Sequence, residues 1–465
     1  MNLTPIFSRT ILLAFFAIFF LSSVLSGYLT GYIGVDNIYD LKRMLVIFFI
    51  VFSSGCILFR SSFLVSIPSC FTLLVVISLF IVGFISTFFS QHPFWSLLEL
   101  ANFLLLICLF YTLGVLITDI GRKEALKYLF WFALFFLICI SLKFFLLLIF
   151  HALDANRPDI HSLISGFMNA RFFNQLQVIL MPLLSLSLYI KALKKYSKLA
   201  MSTFSVQWLI LLQSEARGAL FAIIVATFVV YVFLPVDMRK VFIRSIVKAA
   251  ILGSFLWLLL IIIVPLFIFD SHTWQLRTDS SGRIAMWVYI LQVIPERIFF
   301  GFGPMSFAWA EGKPLLNAHP HNALLQFLYE FGVFAFILVT SWSAVQLLKI
   351  LKTLSSLKEE SPKFKKQSDI ESTNIVIAYA LCSAWIYAMF DGVIVMPLSQ
   401  ALLAAVLAFN SNRHKTLIIG LRLPWKIVLI AILLSSAVML LGSVNNLTLG
   451  LQHYPRLWMM GVISN

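Results

Sequence analysis

A chain of 465 residues that is 61% hydrophobic, with 47 phenylalanines, 11% charged residues and a mean hydropathy of +0.99, is not a soluble globular protein. Its apolar content exceeds what soluble cores need, and its charges are too few to cover a soluble surface. The formal net charge of +15 would suit nucleic acid, but the placement of the basic residues reads as membrane topology, so no nucleic-acid partner is expected.

About 20 helical residues cross a bilayer's hydrocarbon core. Apolar runs of that order fall at roughly 11–29, 43–59, 64–89, 95–117, 127–150, 172–190, 199–213, 219–234, 246–269, 323–348, 374–390, 392–410 and 426–443. That is about thirteen spans, or twelve if 392–410, which contains Pro397, is re-entrant. The first run has no small-residue cleavage pattern and reads as the first span rather than a signal peptide. With the N-terminus inside, the internal segments collect Arg9, Arg60, Arg122, Lys123, Lys127, Lys191 to Lys198, Arg239 to Lys248, Lys349 to Lys366 and Arg413 to Lys426. These make about 23 of the 34 basic residues, as the positive-inside bias requires, with Lys42 and Arg43 the local exception. Cys56, Cys70, Cys108, Cys139 and Cys382 all lie in or beside apolar runs, so neither a disulfide framework nor a metal site is expected. The segment 349–372 reads as a solvated linker.

The expected fold is therefore all-α, a polytopic transmembrane bundle with one large external loop. Its organisation reads as an N-terminal bundle (1–269), the loop (270–322) and C-terminal helices with a short tail (323–465). External segment 151–171 carries His151, Asp154, Arg157, Asp159, His161 and Arg171, and 213–218 is a tight turn. Within the large loop, Arg283 to Ile298 has helical periodicity, with Ile284, Trp287, Val288, Leu291 and Ile294 on one face, and should lie on the membrane or cap the bundle.

The polar residues that resist this apolar background are the candidates for chemistry. Asn322, Gln326 and Glu330 recur every four positions as the chain enters a span after His319-Pro320-His321. Lipid cannot satisfy such a stripe, so it should face the bundle interior or a watery cavity. His321, at the helix start, suits a neutral general base, or equally a capping, hydrogen-bonded histidine. Pro320 fits a first helical position, which would put His319 just outside and His321 within the first turn. Arg217, opening a span, and Arg283, opening the loop helix after Ser280-Ser281-Gly282, present forks that match phosphate oxygens, or else snorkel to headgroups. Glu215, Asp279 and Asp391 could orient the base or an arginine. Arg171, Asn174, Gln175 and Gln177 put polarity at the start of the sixth run, either lining a sugar path or pairing with neighbouring helices. Gly301-Phe302-Gly303-Pro304 lacks the context of a nucleotide fingerprint and reads as a turn.

In order and spacing, Arg217-Gly218-Ala219, Ser281-Gly282-Arg283 with Trp287, Gly301-Phe302-Gly303, His319-Pro320-His321-Asn322, Gln326, Glu330-Phe331-Gly332 and Asp391-Gly392 resemble the O-antigen ligase and polymerase superfamily of bacterial envelopes. The resemblance implies a membrane glycosyltransferase C type bundle in the inner membrane with its loop in the periplasm. It also implies transfer of a glycan from undecaprenyl pyrophosphate to an acceptor, without metal, nucleotide or cofactor. Carried over, His321 is the base and Arg217 and Arg283 hold the pyrophosphate, with His319, Asn322, Gln326, Glu330, Arg171, Asn174, Gln175 and Asp391 supporting or lining the substrate. Ala216 departs from the serine common before that arginine. One dominant loop favours a ligase acting on a lipid A–core acceptor over a polymerase, and the tail after Leu441 is too short for the extra domain of protein-glycosylating relatives. A transporter of lipid-linked sugars is the reading from another class; it would show Gly/Pro-broken helices in paired halves.

Overall fold

The computed structural model describes residues 4–33, 37–154, 160–269, 282–357, 368–411, 416–446 and 455–459. Arg157, Asp159, Asp279, Ser280 and Ser281 lie outside them. The chain is a helical bundle. Its helices are α1 (Thr4–Phe19), α2 (Ser26–Ile33), α3 (Ile38–Leu58), α4 (Cys70–Thr87), α5 (Pro93–Ile120), α6 (Arg122–Leu153), α7 (Ile160–Leu163), α8 (Ala170–Leu183) and α9 (Leu186–Tyr189). They continue as α10 (Ser197–Gln213), α11 (Arg217–Phe233), α12 (Val236–Trp257), α13 (Val264–Phe269), α14 (Arg283–Val293), α15 (Ala323–Ser355), α16 (Ser368–Ala388), α17 (Pro397–Ser411) and α18 (Leu423–Gly442). Each of the thirteen apolar runs is largely helical, because a backbone in lipid must satisfy its own N–H and C=O groups. Among the described residues nine helical stretches are long and apolar enough to cross a membrane, and α11 and α17 are shorter apolar helices. One feature lies outside the all-α expectation: β1 (Phe63–Ser66) pairs antiparallel with β2 (Thr416–Ile419), Phe63 opposite Ile419.

α5 runs through the middle, packed on α1, α3, α4, α17 and α18, while α16 packs on α8, α11 and α15. The two ends of the bundle differ in charge. At one end Arg60 pairs with Asp119 at 2.5 Å, Lys426 donates to Arg60 O, and Arg122 donates to Asn374. Arg60, Arg122 and Lys426, which belong to the basic segments identified in the sequence, thus meet at this end. Lys42 and Arg43 belong to the other end but are not surface charges: both are buried, Lys42 donating to Gly166 O and Arg43 to Asn102, Gln400 and Val395 O. That explains their exception to the topology rule.

At this second end start α3, α5, α8, α11 and α15, and α16 ends there. Asparagines fix three of these starts, Asn37, Asn169 and Asn322 each accepting a backbone N–H of the first turn. α15 is broken at Gly332, whose φ of 81° and ψ of −175° only glycine adopts readily, and a Cβ there would lie 2.3 Å from Phe299 O. The freed carbonyls are taken up by the loop: Phe302 N–H donates to Tyr329 O and Gly303 N–H to Glu330 O. The Gly301-Phe302-Gly303 turn and the Glu330-Phe331-Gly332 segment, separate in sequence, are thus docked on each other.

The loop helix forms over Arg283–Val293, and most of the apolar face identified from periodicity is exposed. Ile284, Val288 and Leu291 are exposed, whereas Met286 and Ile290 pack with Phe307 and Tyr329. A membrane supplies an apolar environment for the exposed side, so burial and hydrophobicity do not coincide here as they would in water.

Candidate active site

The turn Ala318–Asn322 carries the two histidines. Asn322 is the N-cap of α15, its side chain accepting from Leu325 N–H at 3.0 Å. Pro320 and His321 therefore lie before the helix, not within its first turn, and His321 adopts a left-handed backbone with φ of 55°. A non-glycine residue in that conformation costs on the order of 1 kcal/mol and is held by its surroundings. Trp287 of α14 is one such support, donating from Nε1 to Pro320 O at 3.0 Å.

His321 is wedged between an amide and a carboxylate. Asn317 Nδ2 lies 3.1 Å from Nε2, and since an amide NH2 only donates, Nε2 is the unprotonated nitrogen. That leaves Nδ1 to carry the proton of the neutral ring; it faces Asp391 Oδ1 at 3.5 Å without a hydrogen bond between them. Asp391 is buried just past the end of α16 and held from several sides: Gln175 donates to Oδ1 at 3.1 Å, Gly392 N–H to Oδ1 at 2.6 Å, and Tyr387 Oη to Oδ2 at 2.9 Å. Burial pushes its carboxyl up, but His321, His319 and the Gly392 N–H outweigh that and hold it well below the ordinary carboxylate range. The carboxylate is thus ionised and faces His321.

His319 occupies the second place on the turn, its ring centroid 4.3 Å from that of His321. It is 5% exposed, and neither ring nitrogen has a hydrogen-bond partner among the described residues. Burial, the neighbouring His321 and the charges of Arg456 and Arg283 hold it far below its ordinary range, so it is neutral near pH 7. Gly392 makes the ring's space: a Cβ there would come within 2.6 Å of Nε2.

Three arginines gather on this side: Arg283 lies near Asp391, and Arg171 and Arg217 are close enough to bear on Arg283. Arg283 is the first residue of α14, entered through Gly282 with φ of 72°, and its Nε has no hydrogen-bond partner among the described residues. Burial lowers its pKa from the ordinary arginine value; Asp391 opposes that shift, and the like charges of Arg171 and Arg217 add to it. Arg217 opens α11 beside the same corner, because Gly218 lets α11 approach the end of α16; a Cβ on Gly218 would meet Phe390 at 2.9 Å. Ala216 is the N-cap of α11 and makes no side-chain cap, so the hydroxyl missing from the expected motif is a capping hydroxyl. Three guanidinium groups near one carboxylate leave an excess of positive charge, which suits an anion with several oxygens. His319, His321 and Asp391 also bring one ligand atom each within 4.8 Å of one another, spacing that could hold a metal ion. The arginines around them make that corner a poor place for a divalent cation.

Other predicted residues turn elsewhere. Asn174 donates to Gln177 and Ser214, and Gln177 to Gln207, a buried network between helices. Gln326 and Glu330 face the bundle interior, at 4% and 0% exposure, where both meet Arg456. Glu330 Oε2 pairs with Arg456 Nη2 at 2.8 Å, and the Gln326 amide, turned with its oxygen toward the same guanidinium, lies 2.8 Å from both terminal nitrogens. Asn317, Tyr387, Glu99 and Arg456 were not identified from the sequence. Asn317 lies two residues before His319, whereas Arg456 lies 126 positions from Glu330 and had no local signal at all.

Over residues 202–340 the chain matches the family model described as O-antigen ligase. None of the curated proteins compared with the chain matches it significantly. The matched segment holds Arg217, Arg283, His319 and His321, so this part of the chain is similar to the O-antigen ligase family, within a protein whose apolar helices are those of a multi-pass membrane protein.

Proposed function

We propose that this protein is an O-antigen ligase that moves a glycan from undecaprenyl pyrophosphate to a hydroxyl of the lipid A–core oligosaccharide. The observation that carries the reading is the pairing of an oriented base, His321 on Asp391, with a cluster of arginines of which Arg283 keeps a buried N–H unpartnered. The acceptor hydroxyl displaces Asn317 at Nε2 and gives its proton to that nitrogen as its oxygen attacks the anomeric carbon. The bond from that carbon to the pyrophosphate oxygen breaks, and the electron pair leaves on the lipid pyrophosphate. Attack opposite the leaving group inverts the anomeric centre. Arg217 and Arg283 hold the pyrophosphate, with Arg171 adding charge, and as the leaving group gains charge these fixed cations stabilise it without reorganising. Asp391 keeps the Nδ1–H tautomer and meets the charge that develops on the ring.

The basic end of the bundle belongs in the cytoplasm of a bacterial inner membrane by the positive-inside bias, which puts the N-terminus inside and the histidine turn in the periplasm. A single large loop favours a lipid A–core acceptor over extension of the glycan on its own carrier. The test is a transfer assay in which purified protein receives undecaprenyl-pyrophosphate glycan with and without rough lipopolysaccharide. Product that needs the lipopolysaccharide supports the ligase. Chain growth without it makes the protein a polymerase, and full transfer by His321→Ala removes the proposed base.

A further inference from the structure

The last described residues, 455–459, lie beyond α18, yet Arg456, Leu457 and Trp458 are each no more than 1% exposed. The segment is pinned at the site end of the bundle by backbone and side chain. Tyr39 Oη and Arg43 Nη2 donate to Arg456 O at 2.6 and 3.3 Å, Met459 N–H to Asp40 Oδ1 at 2.7 Å, and Trp458 Nε1 to Ser443 Oγ at 2.9 Å. From this anchored backbone the Arg456 guanidinium reaches three separate pieces of chain. It meets Glu99 of α5 at 3.2 Å, Glu330 of the short first segment of α15 at 2.8 Å, and the carbonyl of Ala318 at 3.5 Å. Ala318 immediately precedes His319, and the Arg456 charge bears on that ring.

A buried ion pair is a weak way to add stability, because desolvation offsets most of its attraction, but it permits few alternative arrangements. Glu99 and Glu330 could be apolar in a bundle that needed only packing. Instead two buried carboxylates wait for a cation that comes from the far end of the sequence. We propose that Arg456 is a positioning residue for the transfer reaction, locking the helix end at Glu330 to the histidine turn, so that the site is complete only when the segment after the last helix is seated. The assignment rests on the transferase reading of the site. Arg456 touches no reacting atom; it acts through Ala318 and Glu330 on where His319 and His321 stand.

The experiment uses the full chain in lipid nanodiscs and two variants. Arg456→Lys keeps a cation near the carboxylates but withdraws the fork from Ala318 O. Arg456→Met combined with Glu99→Gln and Glu330→Gln removes the charges together, so that no buried carboxylate is left unpaired. Turnover with saturating lipid-pyrophosphate glycan is expected to fall about tenfold or more in both variants, with the donor KM within about twofold, because misplacing the base affects the transition state rather than donor binding. Modification of His319 by diethyl pyrocarbonate, followed by mass spectrometry, should speed up about fivefold or more as the turn loosens. Wild-type turnover in the triple variant overturns the proposal, and so does lost turnover with His319 as protected as in the wild type. If the triple variant does not fold, Arg456→Lys decides on the same two readouts. If the unaltered protein transfers no glycan, the transferase reading fails, while the His319 modification rates still show whether Arg456 holds the turn.

Discussion

Asp391→Asn is the sharpest perturbation of the proposed base, because the surroundings dictate how the new amide sits. Oδ1 accepts from both Gly392 N–H and Gln175 Nε2, so the asparagine oxygen takes that position and still faces His321 Nδ1. The new NH2 falls on the Oδ2 side, where Tyr387 Oη turns from donor to acceptor. Shape, the oxygen facing the ring and the tautomer are kept, and the charge alone is lost. At 3.5 Å, with an effective dielectric constant of about 20, a full charge pair is worth about 5 kcal/mol. The neighbouring arginines screen Asp391, so roughly half of that, about 2–3 kcal/mol, should be missing when the imidazolium forms in the transition state. That corresponds to a fall in kcat on the order of 10²-fold. Pre-steady-state transfer of a fluorescent lipid-linked glycan, with the thermal midpoint as a check on folding, reads the effect. A folded Asp391→Asn variant with kcat within about threefold of the wild type would refute the charge argument and leave Asp391 as a hydrogen-bonding prop.

Arg283→Lys retains a cation but not the fork, so kcat/KM for the lipid-pyrophosphate donor should fall about 10- to 100-fold, and an unchanged value would remove bidentate phosphate binding from the account. Ala216→Ser supplies the missing cap of α11 and should add about 1 kcal/mol, visible as a higher thermal midpoint; no gain would mean that the hydroxyl does not reach the first-turn N–H groups. For His319 the folded-state pKa lies below the unfolded one, so below about pH 6.5 the unfolded chain binds the extra proton and stability drops as pH falls. The thermal midpoint of the wild type should therefore decline more steeply between about pH 7 and 5 than that of His319→Gln, and equal slopes would show that the ring is not held neutral by burial.

Membership of a membrane-spanning helical class, the apolar runs that become helices and the end of the bundle that carries the basic segments were legible in the sequence alone. Each follows from a local rule: helical backbone satisfies itself in lipid, and positive charge collects on one side. The candidate site residues His321, Arg217 and Arg283 stood out too, being conspicuous against an apolar background. Their pairing was not legible. Nothing in the spacing says that Gln175 turns to Asp391 while Asn174 turns to Ser214, because adjacent positions on a helix point about 100° apart and the neighbouring helices decide which finds what. Which side of α14 meets protein was not legible, since in a membrane both faces are apolar and periodicity cannot separate protein from lipid. His321 was placed one turn too far into α15 because Asn322, not a residue before Pro320, supplies the cap. Only the folded chain brings Arg456 to Glu99 and Glu330, across 357 and 126 positions, where the requirement that a buried carboxylate meet a cation is set by tertiary contact and leaves no mark in the local sequence.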